Sequence, residues 1–264
     1  VEGDIRDAET CSLVLKGVDA VSHQAALGSV PRSIEFPMMT HDVNATGFLT
    51  LLHAAKEAGV KRFVFASSSS VYGDSKASPK REGDEGNALS PYAVSKQLNE
   101  QYAGVYYRLH AMETIGLRYF NVFGPRQNPE GVYAAAIPRF LDKMKNGGEI
   151  VVNGDGNQTR DFTYVRNAVY ANLLSLSSEN DTAFGRVYNV ACGRSLTLND
   201  VIEMLEDGLK NQGSELKHKV VYGPKRVGDI QDSLANIGLI SEKLSYEPLY
   251  TFEEGVVEYL SFQH

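Results

Sequence analysis

Residues 62–70 read Arg-Phe-Val-Phe-Ala-Ser-Ser-Ser-Ser, an apolar run that changes abruptly into hydroxyl side chains. A short apolar run of this kind predicts a strand buried on both faces, as in a parallel sheet. Open α/β sheets bind their ligands at the carboxyl ends of such strands. We therefore expect the serine run, Ser67 to Ser70, to lie where a substrate binds.

A tyrosine and a lysine follow this strand at helical spacing. Tyr92 and Lys96 are four residues apart, so they lie on one face of the helix predicted for 91–110. A nearby ammonium group stabilises a phenolate and lowers the pKa of the phenol, which is about 10 in a free tyrosine. Such a phenol can act as the general base in the oxidation of an alcohol. The pair alone also fits a solvated helix face, and the serines favour the catalytic interpretation.

Strands and helices alternate along the rest of the chain. Apolar runs predict strands at 18–23, 62–67, 114–119 and 186–191, and helical periodicity predicts helices at 42–58, 91–110, 164–177 and 198–209. This alternation is typical of a Rossmann-like, doubly wound parallel sheet in the α/β class. We expect 1–124, with 161–192 returning to it, to form that domain, and 125–160 with 193–264 to form a smaller C-terminal α/β substrate lobe.

Composition and charge narrow the possible partners. The chain has 264 residues, 42% of them hydrophobic, which is enough for one large core or two smaller ones. A net charge of −7 and the absence of Lys or Arg runs argue against nucleic acid and anionic membranes as partners. No apolar stretch reaches the ~20 residues of a membrane span. The two cysteines are far apart and the six histidines lack metal-ligand spacing, so we expect a cytoplasmic protein without a metal.

Further segments, spread over nearly the whole chain, occur in an order that is known from one family. They are residues 3–7, 21–26, the serine run with Tyr92 and Lys96, 118–126, 153–156, 160–162 and 226–229. In these segments the chain resembles the nucleotide-sugar branch of the extended short-chain dehydrogenase/reductase superfamily. The resemblance implies NAD as the cofactor, a UDP-sugar as the substrate and a Ser/Thr–Tyr–Lys catalytic set.

The resemblance also implies roles for individual residues. Tyr92 is the implied general base and acid, Lys96 tunes its pKa and binds the cofactor ribose, and Ser68 and Ser69 complete the catalytic group. The implied NAD contacts are Asp4, Ile5, Gln24, Ala25, Ala26, Asn44, Tyr92 and Lys96. The implied substrate contacts are Ser29, Ser68, Ser69, Tyr92, Asn121, Ala135, Asn153, Arg160, Arg226, Asp229 and Ser233. Ordinary structural roles are the alternative for many of them, such as a surface carboxylate for Asp4 or a helix cap for Asn44.

The residues after the catalytic serine separate the chemistries within this branch. Dehydratases and decarboxylases of the branch carry an acidic residue there, whereas this chain has Ser69 and Ser70. The resemblance therefore implies 4-epimerisation of a UDP-hexose through a 4-keto intermediate. Residues 27–33 and 127–138 are similar to bacterial UDP-N-acetylglucosamine 4-epimerases of polysaccharide biosynthesis. A UDP-glucuronate or UDP-glucose 4-epimerase remains an alternative, as does a non-catalytic nucleotide-binding protein.

One part of the family pattern is not found at the start of the sequence. Dinucleotide sites of this type open with a strand, a Gly-rich turn and a helix that binds the pyrophosphate, whereas this sequence opens with Val1-Glu2-Gly3-Asp4. We therefore expect the 264 residues to belong to a longer protein, and to be inactive and free of NAD by themselves. We also expect a homodimer in which helices at 43–58 and 93–110 pair as a four-helix bundle.

Overall fold

A computed structural model describes residues 1–130, 134–224 and 231–262. The strands are β1 (Ala20–His23), β2 (Arg62–Ser68), β3 (Glu113–Tyr119), β4 (Val122–Phe123), β5 (Gly148–Asn153), β6 (Thr159–Asp161), β7 (Thr163–Tyr164), β8 (Arg186–Val190), β9 (Ser195–Thr197) and β10 (His218–Gly223). The α-helices are α1 (Ala8–Val14), α2 (Val30–Glu35), α3 (Pro37–His41), α4 (Gly47–Glu57), α5 (Pro91–His110), α6 (Ala136–Asn146), α7 (Val165–Ser177), α8 (Leu198–Asn211), α9 (Gly238–Leu244) and α10 (Phe252–Ser261).

The largest sheet confirms the predicted parallel architecture. Its strand order is β1-β2-β3-β8, and every neighbouring pair is parallel. Alternate residues of β2 enter different cores: Phe63 and Phe65 pack with α4, whereas Val64 packs with Ala171 of α7. Because successive side chains of a strand point to opposite faces, these contacts place helices on both faces of the sheet. This is the doubly wound arrangement that the alternation of elements predicts.

Helix α5 begins and ends where its sequence predicts. The Ser90 hydroxyl accepts the backbone N–H of Ala93 at 3.1 Å, and Pro91 occupies the first turn, where its missing N–H costs nothing. At the other end, Ala111 takes a left-handed conformation with φ of 52° and stops the helix. The predicted helix at 42–58 differs from the structure, since residues Asp42–Thr46 form a π-helical turn before α4.

A second core lies under β5, which pairs in parallel with β10, and it is closed by α6, α8 and α10. Thr197 caps α8 in a reciprocal capping box with Asp200, as expected for a helix that starts at 198. Helix α9 packs differently from the predicted division of lobes. Its residues Ile240 and Leu244 join the core of the parallel sheet, where α9 contacts β8.

No helix within 1–130, 134–224 and 231–262 is both long enough and apolar enough to span a bilayer.

Candidate active site

The catalytic candidates meet where β2 ends and α5 begins. Ser68 is the last residue of β2 and lies opposite Tyr119 of β3 in the register. Ser69 is half-buried and opens the 3-10 turn Ser69–Tyr72, which is stabilised by the Ser68 hydroxyl accepting the Ser70 N–H at 3.2 Å. The Ser68 hydroxyl also hydrogen-bonds the phenol of Tyr92, in the first turn of α5. The structure thus brings together the serine and tyrosine of the predicted set.

Lys96 lies one helical turn beyond Tyr92 and is 2% exposed. Its Nζ donates to the carbonyl of Ala66 in β2 at 2.8 Å and lies 5.8 Å from the centroid of the Tyr92 ring. Burial lowers the pKa of Lys96 to about 8, although the nearby charge of Glu100 acts in the opposite direction. The ammonium is therefore fixed by the backbone of β2 at a distance from which its charge reaches the phenol.

The pKa of Tyr92 shifts in the opposite direction from the sequence-based expectation. Burial raises the pKa of the phenol, and the hydrogen bond from Ser68 lowers it by a smaller amount. The expectation rested on the attraction between Lys96 and a phenolate. Burial also makes the phenolate costly to desolvate, and this effect is larger. One of the three Lys96 donors is used by the Ala66 carbonyl, and the ammonium nitrogen lies 5.8 Å from the centroid of the Tyr92 ring.

A buried ion pair stands behind the serine run. Arg118 of β3 is 3% exposed and donates to both carboxylate oxygens of Glu100, at 2.8 and 2.7 Å. The same carboxylate accepts the Ser67 hydroxyl at 2.5 Å, and Arg118 also pairs with Glu85. Burial acts against the guanidinium charge, but the contacts with Glu100 raise the pKa of Arg118 overall. This group ties the end of β2 to α5 and β3.

The NAD candidates surround the carboxyl end of β1. Gln24, Ala25 and Ala26 are exposed directly after the strand. Gln24 is held by neighbours, since its amide donates to Asn172 Oδ1 at 2.9 Å and accepts from Tyr119 at 3.1 Å. Small exposed residues at a strand end leave room for a ligand to approach the backbone.

Asn44, Asp4 and Ile5 each have a definite structural partner. Asn44 is buried inside the π-helical turn and does not cap a helix; its amide bonds both the N–H and the carbonyl of Leu27, at 2.7 and 3.0 Å. It therefore fixes the loop that follows β1. Asp4 is exposed and pairs with Arg6, whose hydrogen bonds lower the pKa of Asp4 to about 2. Ile5 packs against the core under α4.

Three substrate candidates come together around Asp161. The Asn121 amide donates to the carbonyl of Asp161 at 2.9 Å, and the Asp161 N–H donates to the carbonyl of Ser233 at 2.8 Å. Arg160 precedes Asp161 in β6, which pairs antiparallel with β9. Asn121 takes a positive φ of 36°, a left-handed conformation that asparagine tolerates better than most residues.

The other substrate candidates lie apart or outside the described residues. Ser29 caps α2 by accepting the Arg32 N–H at 3.3 Å, and Ala135 is exposed just before α6. Asn153 is the last residue of β5, and its carbonyl accepts a hydrogen bond from the Gln158 amide at 2.7 Å. Gln158 lies two residues before Arg160. Arg226 and Asp229 fall in 225–230, outside the described residues.

The sequence reasoning missed two residues that organise the site. Glu100 follows Lys96 by four residues, so helical spacing already placed it on the catalytic face. Asp161 lies in the motif at 160–162, where the resemblance implies a role for Arg160 alone. Both are carboxylates whose partners come from distant segments, and a single sequence does not show such pairings.

The fold and the Ser–Tyr–Lys group together define an α/β enzyme of the dinucleotide-dependent kind, and comparison with known proteins gives the family. The model of the NAD dependent epimerase/dehydratase family matches residues 1–191. The chain belongs to this NAD-dependent family, which confirms the resemblance and the cofactor that it implies.

Individual relatives match over nearly the whole chain. A UDP-N-acetylglucosamine 4-epimerase from Methanobrevibacter ruminantium, solved with UDP-N-acetylmuramic acid, is 38% identical with a TM-score of 0.91, over 99% of this chain and 81% of that one. A UDP-glucose 4-epimerase from Thermotoga maritima, solved with UDP-glucose, is 33% identical with a TM-score of 0.90, over 99% and 83%. A putative UDP-glucose 4-epimerase from Methanocaldococcus jannaschii is 34% identical over 97% of this chain and 81% of the relative.

The donors of Lys96 fit a ribose of NAD. The Lys96 ammonium has three donors, and one of them donates to the Ala66 carbonyl. The ammonium can therefore also donate to a ribose hydroxyl. His23 lies at the end of β1 near Lys96, and burial lowers its pKa to about 4, so it adds no positive charge at neutral pH. When bound, NAD supplies a reversible hydride acceptor.

Proposed function

We propose that the protein is a UDP-hexose 4-epimerase, most specifically one that interconverts UDP-N-acetylglucosamine and UDP-N-acetylgalactosamine. The observation that carries this proposal is the group formed by Ser68, Tyr92 and Lys96 at the carboxyl end of β2, followed by two further serines. The family membership and the similarity to UDP-sugar 4-epimerases support it.

Tyr92 is the proposed proton acceptor and donor. Its phenolate takes the proton of the C4 hydroxyl as that carbon is oxidised, and its phenol returns the proton to the oxygen after the sugar has presented its other face. Ser68 hydrogen-bonds the same phenol, so it can also bond the substrate oxygen that approaches it. The charge of Lys96 lies 5.8 Å from the centroid of the Tyr92 ring, where it can favour the phenolate.

The residues beside Ser68 favour epimerisation over dehydration. Elimination of the C6 hydroxyl needs an acid next to the catalytic serine, and the corresponding positions hold Ser69 and Ser70. Both lie in the 3-10 turn that continues from β2, next to Ser68 itself. Their hydroxyl groups can hydrogen-bond a sugar, but they do not supply a proton as a carboxylic acid does.

The loop after β1 supports the proposal that the substrate is an N-acetylated sugar. Residues 27–33 are similar to those of UDP-N-acetylglucosamine 4-epimerases, and Asn44 fixes this loop through both backbone groups of Leu27. Ser29, with a positive φ of 102°, then starts α2 from a strained position. We propose that this loop borders the hexose and selects it, with UDP-glucuronate and UDP-glucose as the competing substrates.

A direct assay separates these substrates. The purified full-length protein is incubated with UDP-GlcNAc, UDP-GalNAc, UDP-glucose or UDP-glucuronate, and the epimers are resolved by chromatography. We expect kcat/KM to be highest for the two N-acetylated sugars. A clear preference for UDP-glucuronate or UDP-glucose would identify that enzyme instead, and binding of UDP-sugars without any turnover would identify a non-catalytic nucleotide-binding protein.

The control variant is Tyr92→Phe, which removes the proton acceptor and little volume. We expect kcat to fall by about 10²–10⁴-fold, the usual contribution of general acid–base catalysis. The affinity for UDP-GlcNAc, measured by calorimetry, should change little. A variant that keeps more than about a tenth of the wild-type kcat would exclude Tyr92 as the base.

We also propose that two copies pair through α4 and α5, which contact each other within the chain. Apolar side chains of α5 remain exposed at Val94, Tyr102, Val105 and Leu109, the last at 71%. Their spacing places them on one side of the helix, as in a helix that packs against a partner.

Both cysteines are free thiols, which suits a cytoplasmic enzyme of polysaccharide precursor synthesis.

A further inference from the structure

Asp161 is a charged residue with no exposed surface, and backbone groups surround its carboxylate. Its side chain is 0% exposed. Oδ1 accepts the N–H of Cys192 at 3.0 Å and Oδ2 accepts the N–H of Ala235 at 3.3 Å. The backbone N–H groups of Gly193 and Arg194 also stabilise the charged form. A buried carboxylate is costly unless it is hydrogen-bonded, so this one holds the segment after β8 and the segment at 235 in place.

The main chain of Asp161 extends the same network. Its N–H donates to the carbonyl of Ser233 and its carbonyl accepts the amide of Asn121, so both backbone groups are used. The network therefore joins the segment after β3, strand β6, the segment after β8 and residues 233–235. These segments carry Asn121, Arg160 and Ser233, which the family resemblance assigns to the substrate.

We propose that Asp161 is the positioning residue of the nucleotide half of the site, and that its hydrogen bonds fix Asn121, Arg160 and Ser233 in the arrangement that binds a UDP-sugar. This inference rests on the proposed function and extends it. Asp161 itself is buried and does not touch the ligand. It acts through the three residues that it holds.

Replacement of the carboxylate by an amide shows why both acceptor oxygens of Asp161 matter. Asp161→Asn keeps one acceptor oxygen and turns the other into an NH₂ group, which is a donor. One of the N–H groups of Cys192 and Ala235 then faces a donor in a buried site. A buried donor without a partner corresponds to about a 10- to 100-fold change in an equilibrium constant.

The matched control is Asp232→Asn, in the same segment as Ser233. Asp232 is exposed and accepts one hydrogen bond, from the Thr159 hydroxyl of β6 at 3.0 Å. Isothermal calorimetry of the full-length protein with UDP-GlcNAc at about pH 7.5 compares both variants with the wild type. We expect Asp161→Asn to weaken binding by about 10- to 100-fold and Asp232→Asn by less than about threefold. Equal affinities for Asp161→Asn and the wild type would overturn the inference.

The pH dependence of binding provides a second measurement, which needs no variant to fold. Burial raises the pKa of Asp161 to about 6, so the carboxylate gains a proton and loses an acceptor as the pH falls below that value. Among the described residues, the titratable groups that interact with it are the thiol of Cys192 and the phenol of Tyr246, and burial raises the pKa of both, so both stay neutral. The diphosphate of a UDP-sugar keeps its charge in this range because neither phosphate has a free end.

Wild-type affinity for UDP-GlcNAc should therefore fall between about pH 7.5 and about pH 5, while circular dichroism shows that the protein stays folded. Asp161→Asn, where it folds, should show a weak and pH-independent affinity. A wild-type affinity that stays constant across this range would overturn the inference. Absence of UDP-GlcNAc binding by the wild type at neutral pH would instead refute the proposed function, and the inference would fall with it.

Discussion

The charge of Lys96 offers a quantitative test of the catalytic geometry. Lys96→Met keeps a long apolar side chain in the buried site and removes the ammonium group. That group lies 5.8 Å from the centroid of the Tyr92 ring. With an effective dielectric constant of about 20, a unit charge at this distance stabilises a phenolate by about 3 kcal/mol. The variant should therefore lose roughly 100-fold in kcat near neutral pH.

The loss should depend on pH in a defined direction. Without the ammonium the pKa of Tyr92 rises, because the neutral phenol is then favoured further. The deficit in kcat should be largest at about pH 6.5 and become smaller towards about pH 9.5, where more of the phenol ionises. Lys96 has a pKa of about 8, so the wild type itself loses the benefit of this charge at the alkaline end, which narrows the difference further.

The assay follows epimer formation across this pH range, and NAD released on denaturation shows whether the variant retains its cofactor. Lys56→Met on α4 is the control, since Lys56 pairs with Glu57 at the surface. A Lys96→Met deficit below about threefold would refute the electrostatic role of Lys96. A large deficit that is equal at every pH would show that Lys96 acts through its hydrogen bond to Ala66 or through the cofactor instead.

Two further predictions concern charges away from the reacting atoms. Glu100→Leu should lower the free energy of unfolding by about 3–5 kcal/mol, because it leaves the buried guanidinium of Arg118 with less compensation. Glu100→Leu combined with Arg118→Met should recover much of that loss in urea unfolding, and a double variant no more stable than the single one would contradict this account. Arg226→Ala, at a position predicted from the sequence to hold the diphosphate, should raise KM for every UDP-sugar by a similar factor of about 10–150. An increase confined to one sugar would place Arg226 beside the hexose.

The sequence predicted the parallel sheet well because the signals that define it are local. The apolar run at 62–66 appears as the buried strand β2, and Ser90-Pro91 starts α5 at the predicted residue. Each of these depends on a few adjacent residues whose preferences agree with the tertiary structure. The π-helical turn at Asp42–Thr46 was not predicted. It is a single turn, and over so few residues the spacing of apolar side chains does not distinguish it from an α-helix.

The electrostatics of the site could not be predicted from local signals. The pKa of Tyr92 depends on burial, and burial depends on segments that pack together from distant parts of the chain. Arg118 pairs with Glu100, eighteen residues away, and Asp161 accepts from Ala235, seventy-four residues away. Helix α9 likewise packs against the parallel sheet and not in the smaller lobe, because Ile240 and Leu244 are buried in the core of that sheet.

The pairing of β2 with β3 links the catalytic group to the nucleotide candidates. Ser67 lies opposite Arg118 and Ser68 lies opposite Tyr119, and Glu100 binds both Ser67 and Arg118 across that pair. Asn121, which bonds Asp161, follows Tyr119 by only two residues. A shift of one residue in this register would turn Ser68 to the other face of the sheet. An epimerase has to hold its nucleotide while the oxidised sugar turns over beside the base, so the distance between the two groups must stay fixed. We infer that the parallel pairing of β2 with β3 sets this distance.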